Sequence, residues 1–275
     1  MRPTSCCWRW WKSKPDPTRA LRRAGSPKSV ARFRAVIEYD GTDFRGFQRQ
    51  AAGRTVQAEV EAALRRIGWA GKAVLGAGRT DAGAHARGQV VAFDLDWKHG
   101  EDDLRRALNA HLPPDVAAQD LAACAPEFHP RYSARSRRYQ YTIYNRPARS
   151  PLAARYAWHV WPPELSAAAM HTASQQLIGR QDFAAFGSDP DDGVNTVRTV
   201  MLADWRRAPG GWLYFDLQAD AFLYRMVRSL VGALKQVGAG ELSEAGFGAI
   251  LRSRDRAQCP PLAPAHGLCL TEVLY

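Results

Sequence analysis

Hydrophobic and polar positions along this chain change period several times, and each change marks an element. Between Arg32 and Glu38, Phe33, Ala35 and Ile37 take every second place; a period of two predicts a strand with one buried face. Asp40-Gly41 then supplies turn chemistry. From Val56 the period lengthens. Val56, Val60, Ala63, Leu64 and Ile67 form one helical stripe, Thr55 stands at the N-cap position and Gly68 ends the run. Alternation returns over Gln89–Leu95, a short helix is predicted over Asp102–Asn109, and Pro113-Pro114 stops it.

From about residue 130 the succession starts again. Tyr139, Tyr141 and Ile143 alternate with Arg138, Gln140 and Thr142, which predicts a strand over Arg138–Tyr144. Tyr156–Trp161 is a further strand candidate, and Glu164–Ile178 reads as a helix closed by Gly179. Thr196–Trp205 and Trp212–Gln218 read as two strands joined through Pro209-Gly210-Gly211, a hairpin signal. A helix is predicted over Phe222–Val237, with Leu223, Met226, Val227, Leu230, Val231 and Leu234 on one side. Ser243 caps a short helix to Leu251, and Leu268–Leu274 alternates as a last strand. The pattern predicts two successive α+β units, residues 32–130 and 131–275, with mainly antiparallel sheets covered on one face by helices.

Composition narrows the class. The chain has 275 residues, 46% hydrophobic and 24% charged, which excludes global disorder. No run of 18 apolar residues occurs, so no transmembrane helix is expected. The net charge of +11 is unevenly spread. Residues 1–31 hold eight basic side chains and one acid, leaving only +4 for the other 244 residues. Two readings of the arginine-rich remainder stand side by side: a surface suited to phosphate, or the codon bias of a GC-rich genome. Residues 1–31 do not read as a secretory signal, since the Cys6–Trp11 stretch is short and contains Arg9. A transit peptide and an RNA-stacking tail built on Trp8, Trp10 and Trp11 are open readings. The one favoured is a disordered or non-native extension, because Pro15, Pro17 and Pro27 oppose packing. Five cysteines without a C-x-x-C pair predict reduced thiols in a reducing, cytoplasmic compartment, not a zinc site or a disulfide framework.

Three stretches carry candidate chemistry. In Gly76-Ala-Gly-Arg-Thr-Asp-Ala-Gly-Ala-His85, small residues surround Arg79, Asp81 and His85 and allow the backbone to approach a ligand; the plainer reading is a tight turn with solvated charges. Residues 131–155 hold seven arginines and no acid, interleaved with Tyr132, Tyr139, Tyr141 and Tyr144. Arginines neutralise phosphates and aromatic rings stack on unpaired bases, although Tyr139 and Tyr141 must also serve as the buried face of a strand. In Phe222-Leu-Tyr-Arg-Met-Val-Arg-Ser229, Arg225 and Arg228 enter a helix otherwise built for burial. A half-buried arginine needs an anionic partner, such as Asp81, unless it snorkels at the rim. No G-x-G-x-x-G, P-loop or H-E-x-x-H motif occurs, and His99, His111, His129, His159, His171 and His266 form no ligand pair at helical spacing. An enzyme built from these residues would run a metal-independent, cofactor-free reaction.

The blocks Tyr39-Asp-Gly-Thr-Asp-Phe-Arg-Gly-Phe-Gln-Arg-Gln50, Thr55-Val-Gln57, Gly78-Arg-Thr-Asp-Ala-Gly-Ala-His85, Phe128-His-Pro-Arg131, Ser136-Arg-Arg-Tyr-Gln-Tyr141 and Phe222-Leu-Tyr-Arg-Met-Val-Arg228, in this order and spacing, resemble the tRNA pseudouridine synthase A (TruA) family from about residue 32 to the end. Ala84, Phe47 and Gly187 depart from that family's usual residues, and residues 1–31 match nothing in it. The resemblance implies two related α+β domains whose sheets join around a basic cleft, acting as a homodimer on tRNA. It implies isomerisation of uridine to pseudouridine at positions 38 to 40 of the anticodon stem-loop, with no cofactor and no metal. Carried onto this chain, Asp81 would be the nucleophile and Arg79 would help extrude the target base. Tyr139 would stack on the flipped uracil, and Arg228 would pair with Asp81 and keep it ionised. Arg137 and Arg138 are expected to bind substrate beside Tyr139 and Arg79. Two other readings are open: a tRNA-binding module without catalysis, which would not require Asp81, and a uracil-releasing glycosylase, which would need a positioned water.

Overall fold

A computed structural model of the chain describes residues 30–188 and 195–275. The expected tail therefore falls, up to residue 29, outside the described residues. The first unit supplies strand β1 (Ala31–Tyr39), helix α1 (Val56–Arg66), the short β2 (Leu75–Gly76), β3 (His85–Leu95), α2 (Glu101–Asn109) and β4 (Val116–Cys124). The second supplies β5 (Ser136–Tyr144), the short β6 (Trp158–His159), α3 (Ala167–Gln175), β7 (Gly179–Asp182), β8 (Val197–Ala208) and β9 (Trp212–Ala219). Helices α4 (Met226–Gly238) and α5 (Glu244–Ser253) follow, and the described chain closes with β10 (Leu268–Leu274).

All ten strands belong to one sheet, in the order β4-β1-β3-β10-β5-β9-β8-β7, with β2 beside β3 and β6 beside β5. The two units meet where β10 runs parallel to β3, Cys269 opposite His85, and antiparallel to β5, Leu270 opposite Tyr139. The last strand in sequence is thus the seam of the sheet. Phe33, Ile37, Tyr141, Ile143, Phe215 and Leu230 belong to one continuous core cluster that crosses this seam. Helix α2 packs on β4, α3 on β8, and α4 and α5 on α3. In α1 the predicted stripe is buried at Val56, Val60, Ala63 and Leu64; each fully buried Val or Leu contributes about 1.5–3 kcal/mol.

Several sequence expectations shift. Strand β4 went unread because its alanines blur the alternation that Ala118 and Leu121 still carry, and β2 and β7 are too short to show a period. The Tyr156–Trp161 strand shrinks to Trp158–His159. Thr55 stands at the N-cap with extended backbone, yet its buried hydroxyl makes no hydrogen bond. Ser243 does cap α5, accepting from the Gly246 N–H. The helix predicted from Phe222 begins instead at Met226. Upstream, the Asp220 carboxylate accepts the N–H groups of Thr199 and Ala221, and Tyr224 N–H donates to the Ser188 carbonyl at 2.9 Å. These bonds hold residues 221–224 off the helical path. Arg225 then turns into α4 with φ 61°, a left-handed conformation that costs a non-glycine residue about 1 kcal/mol or more.

Candidate active site

The stretch between β2 and β3 cannot fold by itself, having few side chains to bury. It is clamped by the segment that follows β1. Phe47 N–H donates to the Thr80 carbonyl and Gly83 N–H to the Phe44 carbonyl, both at 3.2 Å. Contact this close needs glycine. A Cβ on Gly41 would lie 1.9 Å from the Ala84 carbonyl oxygen, and one on Gly46, at φ 90°, would lie 2.6 Å from the Thr80 oxygen. From beneath, the buried Tyr39 hydroxyl meets Thr80 Oγ1 at 2.8 Å and Gln89 donates to the Gly78 carbonyl at 2.8 Å. The two glycine-bearing blocks of the sequence are therefore halves of one packed object, with Asp81 at its apex.

The far end of the loop is fastened across the seam. Gly41 N–H donates to His85 Nδ1 at 3.0 Å, Asp40 Oδ1 lies 3.2 Å from the same nitrogen, and two carbonyl oxygens on the other side of the ring require a proton on Nε2. That nitrogen donates to the Arg155 carbonyl at 2.9 Å and the His266 carbonyl at 3.1 Å, both in the second unit. His85 is a buried coupling between the units, a role its place in the sequence motif did not reveal.

Asp81 meets its partner from the second unit. Arg228 Nη1 donates to Asp81 Oδ2 at 2.5 Å, while Arg228 Nε donates to the Ala263 carbonyl at 2.8 Å. The other Asp81 oxygen has no hydrogen-bond partner among the described residues, and the side chain is 19% exposed. Asp81, Arg79, Tyr139, Arg137 and Arg228 all line one cleft of about 1070 Å³. Tyr139 rises from β5 into its floor, its ring edge-on to Phe222 at 4.9 Å between centroids. Burial pushes the Tyr139 hydroxyl up to about 12, so the phenol is neutral at working pH. Leu268 and Leu270 of the seam strand and Met226 of α4 add apolar lining.

The remaining expected residues divide. Arg79 is exposed at the cleft, with no hydrogen bond or ion pair to its guanidinium among the described residues. Arg137 is turned inward: it donates to the carbonyls of Asp220, Arg131 and Ala77 at 2.7, 2.5 and 3.3 Å, and so braces the loop. Arg138 does not line the cleft. Successive residues of a strand face opposite ways, and Arg138 sits on the other side of β5, 3.4 Å from Asp216. Among the described residues the cleft is lined by seven arginines, Arg45, Arg79, Arg131, Arg137, Arg198, Arg225 and Arg228, and by one carboxylate, that of Asp81. Only Arg131 and Arg137 come from the arginine-rich 131–155 stretch. The sequence offers Arg225 beside Arg228 as a candidate, but does not single out Arg45 and Arg198, because they lie far apart along it and meet the others only in space.

The sequence has relatives among known proteins. A family model for tRNA pseudouridine synthase matches residues 35–133 and 173–275. A protein of Methylobacterium nodulans named tRNA pseudouridine synthase A is 48% identical over 247 residues, 90% of this chain and 96% of its own. Proteins of the same name are 43% identical in Syntrophotalea carbinolica, over 88% of this chain and 95% of theirs, and 42% identical in Caulobacter vibrioides, over 90% and 99%.

Proposed function

This chain belongs to the tRNA pseudouridine synthase family, and we propose on that footing that it isomerises uridine at positions 38 to 40 of the tRNA anticodon stem-loop, with Asp81 as the nucleophile. One observation carries the reading: among the described residues, Asp81 has one oxygen held by Arg228 and the other without a hydrogen-bond partner, in a cleft whose other charged lining is arginine.

The chemistry asks for little else. The ribose C1′–N1 bond breaks and a C1′–C5 bond forms. C5 gives up a proton and N1 gains one, so composition and oxidation state are unchanged. A carboxylate that bonds covalently to the substrate lets the base be released, turned and rejoined. The guanidinium of Arg228 fixes where that carboxylate points. Tyr139 supplies the face on which the extruded uracil stacks, and its neutral hydroxyl stays available near the proton that leaves C5. Extrusion from a stem costs a few kcal/mol, which stacking and charge contacts offset. Arg79, exposed on the loop that bears Asp81, is placed to occupy the gap. The apolar lining keeps water from intercepting the detached base. Arg137 acts as the brace of the loop, and Arg138 takes no part at the target uridine. The same reading takes the enzyme as a homodimer, for which light scattering should return twice the 30.5 kDa chain mass.

Pseudouridine mapping in host tRNA tests the assignment. Removing the protein should erase pseudouridine at positions 38 to 40 alone, and the wild-type chain should restore it. Loss at other positions, or none, would refute the assigned site.

A further inference from the structure

The cleft holds an aromatic surface that the reaction at Asp81 does not use. Its volume of about 1070 Å³ exceeds the roughly 300 Å³ at the lower end of small-ligand pockets, so more than the reacting nucleotide can enter. On its rim Tyr132 is 76% exposed, more than any other tyrosine, tryptophan or phenylalanine among the described residues. The turn that carries it supplies a ring for it to rest against. Ser133 N–H donates to the His129 carbonyl at 2.9 Å, and Arg131 N–H donates to His129 Nδ1 at 3.2 Å. That tight turn lays the Tyr132 ring on the His129 ring, with centroids 4.3 Å apart and planes at 36°. The Arg131 guanidinium lies 5.7 Å from the ring centre, at the edge of cation–π range. Across the cleft Tyr224 has the Arg225 guanidinium at 4.7 Å over its ring; Tyr132 is the more open of the two.

We propose that Tyr132, backed by His129, is a stacking platform for the tRNA base next to the target uridine. The inference rests on the reading of the cleft as a tRNA pseudouridine synthase site. When the target is extruded, its neighbour loses a stacking partner, and a fixed aromatic ring in the same cleft replaces it. Fixing the ring beforehand removes the ordering cost of binding. Stacking accepts any base, since each has a π face. A base-tolerant grip suits an enzyme that treats three adjacent positions, whose neighbours differ.

The test uses the full chain and unmodified tRNA transcripts carrying 2-aminopurine immediately 5′ or immediately 3′ of the target. Bound to Asp81→Asn protein, one of the two transcripts should stay quenched although its neighbouring base is extruded. Adding Tyr132→Ala should abolish that quench, and Tyr132→Phe should keep it. In the active enzyme, Tyr132→Ala should raise KM about 5- to 100-fold with kcat little changed, and Tyr132→Phe should restore KM. An unchanged KM for Tyr132→Ala overturns the proposal. So does a raised KM with the quench intact, because Tyr132 would then touch something other than a base. Failure of the underlying reading looks different: tRNA would not be converted by the wild-type chain at all.

Discussion

Two aspartates in this protein meet arginines from elsewhere in the fold, and they end in opposite states. Asp216 on β9 is 8% exposed and has a cation beside each oxygen: Gln140 donates to one at 3.2 Å with Arg138 at 3.4 Å, and Arg206 lies 3.6 Å from the other in an ion pair. Asp81 is 19% exposed and has one oxygen engaged, by Arg228 at 2.5 Å. The first arrangement satisfies a carboxylate on the face of a sheet. The second orients a carboxylate and leaves a lone pair over for a reaction. An Asp–Arg pair is therefore weak testimony by itself; what separates the two carboxylates is that a second cation covers the remaining oxygen of Asp216 and none covers that of Asp81 among the described residues.

Substitutions should pull the two pairs apart. The largest effect is expected for Asp81→Asn, which keeps the shape and removes the nucleophile: pseudouridine formation should vanish while tRNA affinity, read by filter binding, is retained. Arg228→Gln should follow, with kcat lower by about 100-fold, because Asp81 loses its orienting partner and the 263 segment its anchor; single-turnover rates will read it. A pH titration comes next. Tyr39, Tyr139, Tyr141 and Tyr275 are all raised by burial, Tyr139 to about 12. Because the folded values lie above the unfolded value of about 10, their contribution is complete below pH 10 and is lost as pH climbs through the folded values. Thermal melts should begin to fall near pH 9, where the unfolded chain sheds the proton that burial keeps on Cys269 up to about 11, and fall more steeply beyond pH 10. The smallest effect belongs to Asp216→Asn, about 1 kcal/mol of stability by denaturant unfolding, since its arginines are partly solvated, with isomerase activity at the wild-type level.

The same contrast explains what the sequence could tell. Alternation at Phe33–Ile37 and Tyr139–Ile143 was legible because one face of each strand is buried. Strand β4 was not, because alanine is too small to mark a face. Asp81 and Arg228 could be paired on paper, since an arginine in an apolar helix demands an anion. Arg138 misled for a period-of-two reason: lying next to Tyr139 in sequence puts it on the opposite face. Charge misled in a related way. The total of +11 is weighted to residues 1–31, and the richest local run gives the cleft only Arg131 and Arg137. The cleft becomes basic by gathering Arg45, Arg79, Arg198 and Arg225 from distant segments, which no local count can find. Likewise Arg225 reads as helical until the bonds of Asp220 and Tyr224 turn the chain before it.

Proton release from C5 tests the central claim most directly. With tRNA tritiated at C5 of uridine, Asp81→Asn and Asp216→Asn should be run side by side in a single turnover with enzyme in excess. The account predicts wild-type tritium release from Asp216→Asn and none from Asp81→Asn, although both bind the tRNA. Release at the wild-type rate from Asp81→Asn would contradict it.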